Sequence, residues 1–170
     1  MEFFDVLESR SSIRKYTDEN LTDEQIRRIV TAGLKAPTAT NKQEIHITVI
    51  KKGDPVQDSI QKDLNPEAET SFCYGAPVTF YLSAADDFGW SDIDAGIAVE
   101  NMHLAAKALG LGSVILGYMK KVVNGKKKQE YDKLLCIPEG YSYKIALAVG
   151  HADTEKVPHN IDYDRDVTVK

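Results

Sequence analysis

At 170 residues, with 42% hydrophobic and 28% charged side chains, the chain has the length of one domain and a globular composition, which excludes disordered, collagen-like and membrane-embedded classes. Its 21 Lys and Arg against 26 Asp and Glu leave a net charge of −5, which repels a phosphate backbone, so no nucleic-acid partner is expected. The mass of 18.9 kDa corresponds to a folded surface of about 8,300 Å², enough burial for a core without staples.

No repeat, low-complexity tract or linker divides the sequence, so residues 1–170 read as one domain. The first clear helix covers residues 23–33: Thr22 and Gln25 form a capping box, Leu21 and Ile26 a hydrophobic staple, and Gly33 and Pro37 mark its end. Residues 45–50 alternate β-branched side chains and predict a strand. Asp54-Pro55 opens a shorter helix, and residues 78–82 give a second strand. The longest helix runs from Ser91 or Asp92 to Leu109 and is apolar on nearly every side around Ala95 to Val99. Such a helix is expected to be buried all round, centrally or by sharing with a second subunit. Strands over 113–116 and 144–149 bracket a charged helix at 129–135, and a polar, acidic tail over 151–170 frays or docks on a neighbour. Helices interleaved with strands predict a layered α+β or α/β domain.

Several site types are absent. His46, His103, His151 and His159 form no ligand pair and read as surface or partly buried residues, and no metal site is expected. Gly110 to Gly117 is glycine-rich but precedes a strand where a dinucleotide fold needs a helix. Cys73 and Cys136 stand in no metal or disulfide spacing. The first residues carry two acids where a secretory signal would be basic. No stretch is long and apolar enough for a bilayer. Together these favour a reduced, cytoplasmic setting away from membranes.

Three segments can carry chemistry. Arg10-Ser11-Ser12-Ile13-Arg14-Lys15-Tyr16 offers two guanidinium groups and two hydroxyls that share a face in a helix or an extended segment and suit an anion. By composition alone the favoured reading is an exposed, incidental charged cluster. The small and amide side chains of residues 36–43 suit a heterocycle edge, or simply connect two elements. The strand end Ile115-Leu116-Gly117-Tyr118 can expose backbone N–H groups, or merely close on a turn.

Taken in order, these segments resemble the nitroreductase family of FMN-dependent oxidoreductases. The shared patterns are R-x-S-x-R-x-[FY] at residues 10–16, L-[TS]-x-E-Q at 21–25, AP-[ST]-x-x-N-x-Q at 36–43, and D-x-G-I-A…N…L-A-A…LGLGS from Asp94 to Ser113. Departures are Glu44-Ile45 where the family often has Pro-Trp, and a tail in which Arg165 sits among Asp162, Asp164 and Asp166.

The resemblance implies an α+β three-layer sandwich, a mixed, mainly antiparallel sheet flanked by helices, in an intertwined homodimer with two FMN sites at the interface. It places Arg10, Ser11, Ser12 and Arg14 on the phosphate and pyrimidine side of FMN, and Pro37, Thr38, Ala39 and Asn41 against the partner's FMN. Ile115, Leu116, Gly117 and Tyr118 would lie beside the flavin ring, with Arg165 on the phosphate. Val167 and Val169 would form a strand on the partner's sheet. The implied chemistry is ping-pong hydride transfer from NAD(P)H through flavin N5 to a small electron-poor acceptor such as a nitroaromatic, quinone or enone. It needs no catalytic acid or base. The alternatives within this fold are a non-enzymatic binding or storage module, or a flavin protein with dehalogenase-like or flavin-destroying chemistry.

Overall fold

The computed structural model describes residues 2–170. Helix α1 (Phe3–Ser9) leads into an extended segment, and α2 (Asp23–Leu34) follows. The capping box at the start of α2 forms as its sequence requires, with the Gln25 N–H donating to Thr22 Oγ1 at 3.2 Å and the Thr22 N–H to Gln25 Oε1 at 2.8 Å. Strand β1 (Ile45–Lys51) and helix α3 (Pro55–Leu64) come next, the latter capped by Asp54, whose carboxylate accepts from the Val56 N–H at 3.0 Å. Then follow β2 (Val78–Ala85), α4 (Ser91–Ala108), β3 (Gly112–Leu116), α5 (Lys120–Val123), α6 (Lys128–Leu134), β4 (Tyr141–Gly150) and α7 (Tyr163–Asp166).

The strands form one sheet in the order β1-β2-β4-β3, every pair antiparallel. Its parallel component is a single bridge from Ser12 to Ser113 on the outer side of β3. Alternation along β2 and β4 divides the core into two faces. Phe80, Leu82, Leu147 and Val149 pack with Ile29 of α2 and Ala98, Val99 and Met102 of α4. Tyr81, Tyr143, Ala146 and Ala148 pack with Val56 and Ile60 of α3, Val123 of α5 and Tyr131 of α6. The result is the expected helix–sheet–helix sandwich. Each buried side chain of this size stabilises by about 1.5–3 kcal/mol, whereas the exposed ion pairs such as Lys52–Asp18 contribute roughly 0–1 kcal/mol. The two apolar layers therefore hold the fold.

Of the two ways in which α4 is expected to be buried all round, central burial by its own chain does not form. Helix α4 is not buried all round in a single chain: Ala95, Ala98, Val99, Met102 and Ala106 are buried, while Trp90, Ile93 and Ile97 stand 55%, 53% and 38% exposed. These three recur at i, i+3 and i+7 and form one outer stripe. The tail likewise has no core to join: Val157, Ile161, Tyr163 and Val169 are exposed, and residues 167–169 pair with no strand.

The extended segment after α1 is laced to the sheet. The Ile13 N–H donates to the Ser113 carbonyl, and the Thr17 N–H to the His151 carbonyl, each at 2.9 Å. Ile13 is buried, and a Cβ on Gly112 would lie 2.9 Å from its Cγ2, closer than carbon atoms approach. Gly112→Ala is expected to destabilise the protein by about 1–3 kcal/mol, as overpacking does, measured as a lower urea midpoint with an unchanged slope.

Candidate functional site

Helix α1 ends at Arg10, whose backbone turns extended at φ −66° and ψ 131°. That turn delivers the motif as a strand-like segment, so of the two geometries open to it the extended one is adopted. Arg10, Ser11, Lys107, Gly112 and Lys156 line a cleft of about 910 Å³, within the size range of small-molecule sites. Asp5, Glu8 and Glu155 also line it, so its formal charges balance. Burial decides the local field: Arg10, Ser11 and Lys107 are half-buried, whereas the three acids are exposed and water screens them. The interior of the cleft favours an anion.

Arg10 is held from α4. Its Nη1 lies 3.0 Å from His103 Nε2, and its Nε lies 3.8 Å from Glu100 Oε1. A guanidinium only donates, so Nε2 accepts; the imidazole proton is then on Nδ1, facing Ser113 Oγ. His103, read from sequence as a surface or partly buried residue, is only 2% exposed. Burial, followed by the Arg10 charge, lowers its pKa from 6.5 to about 4. Burial also raises the Glu100 carboxyl, which Arg10 partly offsets.

Ser12 lies on the bridge to Ser113, while the exposed Arg14 guanidinium lies over the Tyr74 ring at 5.9 Å. The two arginines therefore have separate partners. The strand end splits by burial: the Leu116 side chain is in the core, Ile115 is half-buried, and Gly117 and Tyr118 are exposed. Burial pushes the Tyr118 hydroxyl up to about 12 against the opposing pull of Arg14, and this hydroxyl donates to the Phe72 carbonyl.

The loop after α2 is strained. Thr40, Asn41 and Gln43 all have positive φ, at 53°, 56° and 56°; each such non-glycine residue costs on the order of 1–3 kcal/mol, and a β-branched threonine there is a rare outlier. The loop is tied by the Ala39 N–H donating to Asp94 Oδ1 at 3.0 Å and the Gln43 N–H to Thr38 Oγ1 at 2.9 Å. Pro37 and Asn41 are exposed, and Thr38 and Ala39 half-buried. Glu44, the departure at the end of this loop, has a buried Oε2 without a hydrogen-bond partner.

The anchors Asp94 and His103 are nine residues apart on α4, about 14 Å along its axis and about half a turn around it. One chain thus carries the loop and Arg10 on opposite flanks of the same helix. Arg165, on α7, is paired with its neighbour Asp166 at 2.6 and 2.7 Å and does not line the cleft. The tail cation that does line it with Arg10 is Lys156. Sequence reasoning missed Lys156, Lys107, His103 and the anchoring role of Asp94. Lys156 had one legible signal, as a cation in the tail implied to reach the phosphate. Among the described residues no cluster of three or more His, Cys, Asp or Glu side chains is placed for a metal, and no helix is long and apolar enough to cross a membrane.

The comparisons with known proteins place the chain in a family. The sequence model of the nitroreductase family matches residues 7–151. The chain is 31% identical over 159 residues to an Archaeoglobus fulgidus protein provisionally named an NADH dehydrogenase/NAD(P)H nitroreductase, with 91% of this chain and 88% of that one covered. It is 33% identical over 170 residues to the NAD(P)H FMN reductase of Bacillus subtilis, with 85% of this chain and 64% of that longer one covered. A solved nitroreductase with bound FMN from Desulfitobacterium hafniense shares 28% identity and a TM-score of 0.86 over 100% of both chains. The chain belongs to the nitroreductase family.

The low pKa of His103 makes stability pH-dependent. Between pH 6.5 and about 4 the unfolded chain binds a proton that the folded chain refuses, so this contribution is complete above pH 6.5 and is lost as pH falls toward 4. Urea denaturation across that window is expected to show a steeper loss of stability for the native sequence than for His103→Gln.

Proposed function

We propose that the protein is an FMN-dependent NAD(P)H oxidoreductase that works as a homodimer with two flavin sites at its interface. The observation that carries this reading is the pairing of a half-buried arginine cleft with a strained amide-rich loop, held on opposite flanks of α4 and therefore completed across two chains. Bound FMN would supply the chemistry, hydride transfer from NADH or NADPH to an electron-poor acceptor such as a nitroaromatic, quinone or enone in ping-pong alternation.

The donor set fits that group. Arg10 and Ser11, which line the cleft with Lys107 and Lys156, would hold the phosphate by charge-assisted hydrogen bonds, joined by Ser12 from the neighbouring bridge to Ser113. Arg14 would add positive charge on the side where the ring gains electrons, and the exposed residues Gly117 and Tyr118 would border it. Pro37, Thr38, Ala39 and Asn41 of a second copy cover it and exclude water. Arg165 would reach a phosphate only after leaving Asp166, so Lys156 is the better placed cation of the tail. No side chain acts as acid, base or nucleophile.

The surface supports two copies. An accessible area of 10290 Å² exceeds the expected monomer value by about 2,000 Å², more than the roughly 800 Å² that one partner contributes to an ordinary interface. The excess includes Phe3, Phe4 and Leu7 of α1, the outer stripe of α4, and the tail, each of which would be buried by a second chain.

Purified protein is expected to show a flavin visible spectrum that bleaches anaerobically with NADH or NADPH and returns on adding a quinone. The double variant Arg10→Ala/Ser12→Ala should lose at least about tenfold in FMN affinity, given about 1.5–3 kcal/mol for each charge-assisted bond. Unchanged affinity would reject the phosphate assignment. Sedimentation should give twice the chain mass of 18.9 kDa, and a monomer holding a full complement of flavin would reject the shared site.

A further inference from the structure

We propose that His103 is a positioning residue for phosphate recognition: its neutral imidazole, fixed by Ser113, holds Arg10 aimed into the cleft. The inference rests on the assignment of Arg10 to an FMN phosphate, and goes beyond it by naming what makes that arginine a preorganised ligand.

Arg10 stands at the first residue past a seven-residue helix with no side-chain cap at its N-terminus. Its own segment supplies no side-chain partner for the guanidinium. Both partners come from α4, Nε2 of His103 at 3.0 Å and the carboxylate of Glu100 at 3.8 Å. The imidazole is the closer one and the buried one.

An acceptor at that point is an unusual requirement. Protonated histidine, or the opposite neutral tautomer, would present an N–H to an N–H and push the guanidinium away. The Ser113 hydroxyl, on the facing strand, faces Nδ1 and can accept the proton that Nδ1 carries when Nε2 accepts from Arg10. Burial of the ring keeps it neutral at ordinary pH. The charged groups around the pair are Glu100 in contact with Arg10, Lys107 one turn further along α4 in the same cleft, Asp5 and Glu8 from α1, and Glu155 and Lys156 from the tail. The imidazole and Glu100 hold the guanidinium, while the two lysines add positive charge to the cleft. A guanidinium held in place loses less freedom when it meets a phosphate than a free one. Remote support of this kind is what gives a ligand-binding charge its affinity.

The test compares FMN with riboflavin, which has the same ring system without the phosphate, by fluorescence titration of the apo dimer. The native protein is expected to prefer FMN at least tenfold. His103→Leu removes the acceptor and should lose most of that preference while riboflavin affinity is kept; a general packing defect would lower both equally. His103→Gln, whose Oε1 can accept from Arg10, should restore the preference. Nitrogen NMR of the native apo protein at neutral pH should show the Nδ1–H tautomer.

If the native protein does not prefer FMN, the phosphate assignment of Arg10 fails and this inference with it. If it does prefer FMN and His103→Leu keeps that preference, the role of His103 alone is overturned. An imidazolium or an Nε2–H tautomer at neutral pH overturns it too. Should His103→Leu not fold, Ser113→Ala decides in its place: removing the hydrogen-bond partner that seats the imidazole should shrink the FMN preference, and an unchanged preference rejects the inference.

Discussion

Burial of Ala98, Val99, Met102 and Ala106 of α4 against Phe80, Leu82, Leu147 and Val149 of the sheet is the contact on which the rest of the molecule depends. With this inner face locked, the flanks and outside of the helix have fixed directions. Asp94 points to the loop after α2, His103 to Arg10, and Trp90, Ile93 and Ile97 to whatever lies outside. The helix is therefore both a core element and the frame from which both halves of the site are hung. Close packing of an interior leaves little room for gradual adjustment, so a change in the seating of α4 moves both halves together.

The fold was largely legible in the sequence because its boundaries are set by local chemistry. Thr22 with Gln25, Asp54 with Pro55, and the β-branched run at 45–50 each act over a few residues, and each element formed where those signals stand. The burial of α4 stayed open between its own chain and a second one for a related reason. Hydropathy records that a helix is apolar on every side, but not whether its outer side meets its own chain or another. The C-terminal valines are a similar case, since an alternating pattern forms a strand only where an edge is offered.

The site was legible as segments and not as contacts. Arg10, Ser12 and the loop at 36–43 stand out because their residue types suit anions and heterocycles. Nothing local tells that Arg10 will meet His103, 93 positions away, or that an isolated histidine in an alanine-rich helix will be buried rather than exposed. The same holds for Lys156: its neighbours Glu155 and Val157 do not suit an anion, and only the path of the chain past Ala152 brings it to the cleft. Strain was also invisible. Thr40, Asn41 and Gln43 are ordinary loop residues until the anchor on Asp94 and the short connection into β1 force them into left-handed backbone.

The span from Asp94 to His103 also limits how this architecture can change in length. Each residue inserted into or deleted from that stretch would advance one anchor by about 1.5 Å and swing it by about 100° relative to the other, aiming Arg10 or the loop at the wrong flank. Insertions within those residues are consequently forbidden unless they come in whole turns, and even these would separate the anchors by a further 5.4 Å or so. The extra length of the larger relatives, of which this chain spans about two thirds or less, has to be taken up elsewhere. Segments free of such a constraint, such as the surface turn around Asn65 to Ser71, can lengthen without disturbing the spacing of the anchors.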